Sequence, residues 1–118
     1  MFEQLSRSSG NVLGFKISDR SSDEDMRQAR KIMEDAVAAA GKVRLLIEIE
    51  GFRHMEAEAL MEKLKFVMDH AGDIERIAVV GSRVWIKSWV KVSGLLARTE
   101  TEYFDRSEIE VAWRWISE

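Results

Sequence analysis

The sequence has 118 residues, a formal net charge of −3, 46% hydrophobic and 33% charged residues, and no cysteine. This length predicts a single domain spanning residues 1–118, and the balance of apolar and charged residues is that of a folded protein rather than a disordered one. The mild acidity disfavours nucleic acid as a partner, and the lack of cysteine excludes disulfides, a thiolate nucleophile and zinc–thiolate sites.

The N-terminus favours a cytoplasmic protein. Residues 1–7 lack the charged start, apolar centre and small-residue cleavage site of a signal peptide. No uninterrupted apolar run approaches the roughly 18 residues that a transmembrane helix needs. We therefore expect a cytoplasmic location, with any membrane contact being peripheral.

The first third of the chain predicts a hairpin followed by a helix. Residues 2–5 and 12–18 favour strands, and the Ser/Gly/Asn-rich run between them favours a turn. Ser21 and Glu24 have the spacing of a capping box, and apolar residues then recur at i, i+3 and i+4 until Gly41, which favours the end of a helix.

The middle of the chain predicts two buried strands separated by a second helix. Residues 43–49 are rich in branched apolar side chains and too few for a typical helix, so we expect a central strand. An apolar stripe at helical spacing predicts a helix from about Met55 to Asp69. Ile74 and residues 77–81 favour the next buried strand.

The last third predicts a third helix from Ser82 to about Leu96, a polar edge strand over 97–104, and a short helix capped by Asp105 and Glu108. The whole order is β-β-α-β-α-β-α-β-α. This alternation predicts a single α/β domain with a mixed, mostly parallel five-stranded sheet, in which the N-terminal hairpin forms an antiparallel edge.

Several segments resemble the SpoIIAA-like family, which has the STAS fold. The resemblance rests on residues 42–48, 76–81, 103–105 and 112–116, together with the order of elements, and extends over nearly the whole chain. These are mainly strand and helix-packing patterns, so the resemblance implies the fold more directly than an activity.

The resemblance also implies a binding protein rather than an enzyme. The family is named after an anti-sigma factor antagonist that is regulated by phosphorylation of a serine at the start of the helix after the central strand. Residues 50–57 of this chain contain no serine or threonine, so the chain departs from that pattern. Other members are thought to associate peripherally with membranes and to hold an apolar ligand between helices.

The predicted third helix is the most unusual stretch, because its apolar arc exceeds half of the helix. At about 100° per residue, large apolar side chains share one face and basic side chains form a narrow strip. The apolar face consists of Trp85, Trp89, Val92 and Leu96, widened by Val84, Ile86, Val90 and Leu95, and the strip consists of Arg83, Lys87 and Lys91. Packing on a sheet needs only one apolar stripe, so the surplus indicates a contact with a ligand, a membrane or another protein surface. The alternative is a crowded core, since Trp is usually highly buried.

The predicted second helix also has apolar residues to spare. Met55, Ala59 and Phe66 lie opposite its main stripe, and a groove between helices two and three would use both surpluses. Phe52 and Met55 would line its mouth, because ligands of open α/β sheets bind beyond the carboxyl ends of the strands. The alternative is that these are isolated exposed apolar residues, which are common.

Nothing in the residue pattern predicts catalysis or a cofactor. His54 and His70 lack the i, i+4 partner of a metal site, and no nucleophile, base and orienting group can be assembled from spacing. The Gly81-Ser82 pair offers backbone N–H groups to an anion, but an ordinary strand-to-helix turn is favoured. We expect no catalytic residues, no metal and no cofactor.

Two functions remain open from the sequence. The first is a non-catalytic protein that binds an apolar, lipid-like small molecule or an anionic membrane surface. Its site residues would be Trp85, Ile86, Lys87, Trp89, Lys91, Val92, Leu96, Phe52, Met55 and Phe66. The second is a protein-interaction module, homodimeric or bound to a regulatory partner, that docks through the same helix. Lipid binding should weaken with salt, whereas a dimer should form without lipid.

Overall fold

The computed structural model describes residues 2–4, 11–18, 20–50, 62–82 and 99–118. The strands are β1 (Phe2–Gln4), β2 (Val12–Ser18), β3 (Val43–Glu50), β4 (Ile74–Gly81) and β5 (Glu100–Asp105). The α-helices of the described part are α1 (Asp23–Ala40), α2 (Lys65–Asp69) and α3 (Ile109–Ser117), with short 3₁₀ turns at Ala71–Asp73 and Arg106–Glu108.

Strands β2 to β5 form a parallel sheet in which neighbours in sequence are neighbours in space. The predicted single α/β domain with a largely parallel sheet is confirmed. Phe2–Gln4 pairs antiparallel with β2, with Phe2 opposite Ile17. The turn of the predicted hairpin and most of the predicted third helix lie outside the described residues, so the hairpin and the full element order stay predictions.

The central strands β2, β3 and β4 are buried on both faces because they carry apolar residues at most positions. One face packs against α1 and α2, whose Met33 and Val67 are fully buried, and the other packs against α3. The first face is built from Leu13, Phe15, Ile17, Leu45, Ile47, Ile77 and Val79, and the second from Leu46, Ala78, Val80 and Phe104. Successive residues of one strand therefore serve two different cores.

Helix α1 begins one residue later than the sequence suggests. The capping box consists of Ser22 and Asp25, which exchange side-chain and backbone hydrogen bonds of 3.0 and 2.8 Å. The predicted cap, Ser21, is instead buried, and its hydroxyl accepts the backbone N–H of Ser18 at 3.1 Å. The predicted end at Gly41 is confirmed, since Gly41 has a φ of 85° and its N–H donates to the carbonyl of Val37.

The second predicted helix is interrupted within its described part, and residues 55–61 of it lie outside the described residues. Residues 62–63 are helical, Leu64 forms a turn, and α2 follows over Lys65–Asp69. An ion pair of 3.0 Å between Arg30 and Asp69 ties α2 to α1. Strand β5 spans Glu100–Asp105 and lies at the edge of the described sheet, as predicted, while residues 97 and 98 of the predicted strand lie outside the described residues.

Two arginines fix the C-terminal end of α3 on the sheet. Arg44 on β3 donates to the carbonyl of Ile116 at 3.1 Å, and Arg76 on β4 donates to the carbonyl of Trp115 at 2.9 Å. The last carbonyls of a helix lack intrahelical partners and carry partial negative charge. The guanidinium groups supply both hydrogen-bond donors and positive charge to these carbonyls. Helix α3 is therefore held on the sheet by charged hydrogen bonds as well as by apolar packing.

Candidate functional site at the carboxyl edge of the sheet

All the candidate residues except Phe66 belong to two stretches of the chain that follow the adjacent ends of β3 and β4. Strands β3 and β4 are adjacent and parallel, and they end at Glu50 and Gly81. The chain continues from these ends into residues 51–61 and 83–98. The carboxyl edge of a parallel sheet is where proteins of this class bind ligands, because the loops that follow adjacent strands meet there.

The end of β4 is built around a close contact between glycine and tyrosine. The hydroxyl of Tyr103 donates a 2.6 Å hydrogen bond to the carbonyl of Ser82. A Cβ atom on Gly81 would lie 2.8 Å from the same hydroxyl oxygen, so any other residue there would force Tyr103 to shift. Burial, and then the negative charge of Asp105, raise the pKa of Tyr103 to about 12, while the nearby Arg106 acts in the opposite direction. Tyr103 therefore stays protonated and holds the backbone at Ser82, just after the end of β4.

Charged side chains connect the neighbouring strand ends. Arg106, just after β5, donates to the carbonyl of Ile49 on β3 at 2.9 Å and so spans the end of β4. On the other side of β3, Lys16 forms an ion pair of 3.3 Å with Glu50. Arg106 bonds to the main chain, and Lys16 and Glu50 bond to each other. These contacts stabilise the shape of the edge and do not form an acid–base pair suited to catalysis.

The structure describes only one of the predicted binding residues, and that one only by its position. Phe66 lies on α2, between Lys65 and the buried Val67. The others, Trp85, Ile86, Lys87, Trp89, Lys91, Val92, Leu96, Phe52 and Met55, lie outside the described residues. Their binding role therefore stays a prediction.

Sequence reasoning missed Tyr103 and Arg106 as parts of this edge. Tyr103 is the only tyrosine of the chain, which is a weak signal by itself. The position of Tyr103 beside the end of β4 depends on the register of β4 and β5, which pairs Val79 with Tyr103 and Gly81 with Asp105. The contacts of Arg106 depend on the same register, which spacing along the chain does not reveal.

His70, the histidine in the described part of the chain, lies beside two carboxylates. The ring nitrogens of His70 lie 3.2 Å from the carboxylate of Glu34 and 3.7 Å from that of Asp73, so it joins α1 to the turn before β4. The closer contact, at Nε2, lacks hydrogen-bond geometry. Within the described residues no three His, Cys, Asp or Glu side chains are arranged to hold a metal ion.

The sequence profile of the SpoIIAA-like family matches residues 12–117. The chain belongs to the SpoIIAA-like family. No curated protein and no solved structure matches the chain. SpoIIAA-like proteins are generally non-catalytic, and membership suggests a regulatory or protein-interaction module. Among the described helices, none has the length and apolar character needed to cross a bilayer.

Proposed function

We propose that this SpoIIAA-like chain is a non-catalytic regulatory module that binds a protein partner at the carboxyl edge of its sheet. The observation that supports this most is the position of two apolar-rich segments. They follow β3 and β4, which are neighbouring parallel strands and so end at the same edge of the sheet. Segment 51–61 contributes Phe52 and Met55, and segment 83–98 contributes Trp85 and Trp89.

The chemistry of the edge suits binding better than catalysis. Tyr103 is held protonated and bonded to a carbonyl, and Arg106 is engaged with the carbonyl of Ile49. A binding surface needs a rigid support below its apolar contacts, and these bonds supply one. Tryptophan is among the residues that contribute most to protein interfaces, which favours Trp85 and Trp89 as contacts of such a partner.

A second candidate is the binding of an apolar small molecule or an anionic membrane surface by the same segments. It is favoured by the interleaving of Trp85 and Trp89 with Lys87 and Lys91, since tryptophan suits the bilayer interface and lysine reaches lipid phosphate. In that case the protein is cytoplasmic and attaches peripherally to the membrane.

One set of proteins separates the two candidates. The purified chain is compared with a Trp85→Ser/Trp89→Ser variant and with Ala38→Ser/Ala39→Ser, a matched control on the exposed end of α1. Circular dichroism establishes that all three are folded. The assays are mass by light scattering over a range of concentrations, identification of co-purifying protein by cross-linking, and flotation with neutral and anionic vesicles at two salt concentrations.

A dimer or a cross-linked protein complex that the tryptophan variant loses and the alanine control keeps supports the protein-interaction function. Flotation with anionic vesicles that salt weakens, with no protein complex, overturns it in favour of membrane binding. Behaviour of the tryptophan variant identical to the wild type in every assay overturns both.

A further inference from the structure

An open groove lies between the edge strand β5 and helix α3. Its volume is about 510 Å³. Val111, Arg114 and Trp115 of α3 line one side, and Glu108 and Glu118 flank them at the two ends of the helix. Glu102, Tyr103 and Phe104 of β5 line the other side.

The floor of the groove is aromatic. The rings of Phe104 and Trp115 are 5.8 Å apart and inclined by 54°, and the guanidinium of Arg76 lies 4.9 Å from the centre of the Trp115 ring. Beside them, Val111 is 45% exposed, the one large apolar side chain in the described residues with that degree of exposure. The groove therefore offers a rigid apolar base and an uncovered apolar contact.

The rim of the groove is acidic. Glu102, Glu108 and Glu118 contribute three carboxylates and Arg114 contributes one guanidinium, which gives the lining a net charge of −2. Within the described residues, no ion pair involves Glu102 or Glu118. Arg76 does not neutralise the rim, because it is already paired with Glu100 and bonded to the carbonyl of Trp115.

We propose that this groove docks a short segment of a partner protein that presents an apolar side chain flanked by lysine or arginine. Apolar contact with Val111 and the aromatic floor would provide affinity, and the carboxylates of Glu102 and Glu118 would select basic flanks. The inference goes beyond the proposed function, because the residues that carry it, Glu102, Val111 and Glu118, belong to neither the 51–61 nor the 83–98 segment. It stands or falls separately from that function.

Other occupants fit the groove less well. A second copy related by a two-fold axis would place the same acidic rim against itself, which like charges oppose. Nucleic acid and anionic membranes carry the wrong charge for this surface. The groove has the volume of a small-molecule pocket but is open to solvent, whereas such pockets bury most of their ligand.

The test uses fluorescent peptides and the full chain. One peptide alternates lysine with leucine, a second alternates lysine with glycine, and a third alternates glutamate with leucine. Fluorescence anisotropy should show the tightest binding for the lysine–leucine peptide and none for the glutamate–leucine peptide, and salt should weaken it.

Substitutions locate the binding. Glu102→Lys/Glu118→Lys should lower the affinity for the lysine–leucine peptide at least about tenfold, and Val111→Ser about threefold, since serine and valine have similar helix propensities and the fold should be kept. The matched control is Glu24→Lys/Asp35→Lys on α1, which changes the net charge equally at exposed positions away from the groove. It should bind nearly as well as the wild type.

Equal loss of affinity in the α1 control, or no preference for leucine over glycine between the lysines, overturns the proposal. A concentration-dependent dimer that Glu102→Lys/Glu118→Lys abolishes also overturns it, in favour of a second copy as occupant. If the tryptophan variant of segment 83–98 binds the peptide normally, the groove is independent of the carboxyl-edge function, as proposed.

Discussion

At the scale of single residues, the raised pKa of Tyr103 can be measured directly. Tyr103 is the only tyrosine of the chain, so the absorbance of tyrosinate reports its ionisation alone. We expect a midpoint near pH 12 in the folded protein against about 10 in the unfolded chain, because burial and Asp105 disfavour the phenolate. A midpoint near pH 10 in protein still folded at that pH would contradict this assignment.

The same shift fixes the sign of a stability effect. The folded-state pKa of Tyr103 is raised, so the folded chain binds more protons than the unfolded one between pH 10 and about 12. The free energy of unfolding should therefore be intact below pH 10 and should fall as the pH rises through that window. Tyr103→Phe should remove this decrease and, at neutral pH, cost about 0.5–1.5 kcal/mol, because the hydrogen bond to Ser82 is lost.

Gly81 and Tyr103 should behave as a coupled pair. Gly81→Ala places a Cβ 2.8 Å from the tyrosine hydroxyl, so we expect a loss of about 1–3 kcal/mol in the free energy of unfolding. Removing the hydroxyl by Tyr103→Phe leaves only an ordinary contact of 3.6 Å to the ring. The double variant should thus lose clearly less than the sum of the single variants in chemical denaturation. Simple additivity would show that the close contact is not the reason for glycine.

At the scale of elements, the start of α1 distinguishes two overlapping capping patterns. Ser21-x-x-Glu24 and Ser22-x-x-Asp25 both satisfy the sequence rule, and only the second forms the box. Ser22→Ala should lower the free energy of unfolding by about 1 kcal/mol, and Glu24→Gln should have little effect.

Acid provides a second measurement of the same cap. The backbone N–H of Ser22 lowers the pKa of Asp25, so the stabilisation is present above the normal pKa of 3.8 and is lost as the pH falls through the lowered value. Asp25→Asn should remove that part of the acid sensitivity. A larger effect from Glu24→Gln than from Asp25→Asn would mean that the cap lies one residue earlier.

The attachment of α3 to the sheet predicts that Arg76 contributes more to stability than Glu100, its partner in an ion pair. Arg76→Ala removes the bond to the carbonyl of Trp115, the contact with its ring and the pair with Glu100. We expect a loss of about 1.5–3 kcal/mol, because a hydrogen bond from a charged donor is among the stronger ones. Glu100→Gln should cost no more than about 1 kcal/mol, since Glu100 is 57% exposed. Equal losses in thermal or chemical unfolding would make the ion pair, not the helix end, the important contact.

The elements that sequence predicts well are those defined by local chemistry. Strands β2, β3 and β4 are predicted by runs of branched apolar residues. The end of α1 is predicted by Gly41, which adopts a positive φ easily, and the Asp105–Glu108 cap is predicted by the spacing of its two residues. The contacts of Tyr103 and Arg76 could not be predicted in the same way, because they depend on the register between strands. The break at Leu64 is another such case, since the apolar stripe continues through it without a glycine or proline.

At the scale of the whole molecule, one sheet serves two cores that share no side chain. Alternate residues of β3 and β4 point to α1 and α2 on one face and to α3 on the other. The strands therefore couple the two helical layers through their backbone hydrogen bonds. The carboxyl edge, where the candidate segments leave, and the acidic groove beside β5 are both fixed by this common sheet.

This arrangement predicts one unfolding transition with additive effects from the two faces. Met33→Ala on α1 should cost about 2–5 kcal/mol and Ile116→Val on α3 about 0.5–1.5 kcal/mol, because both side chains are fully buried. In the double variant the losses should add within about 0.5 kcal/mol, since the two residues belong to separate apolar clusters on opposite faces of the sheet. Circular dichroism, which follows all helices, and tryptophan fluorescence should give the same denaturation midpoint in each protein. Two separated transitions in the Ile116→Val variant would instead show that α3 and its face of the sheet unfold on their own, and that the sheet does not unite the two cores.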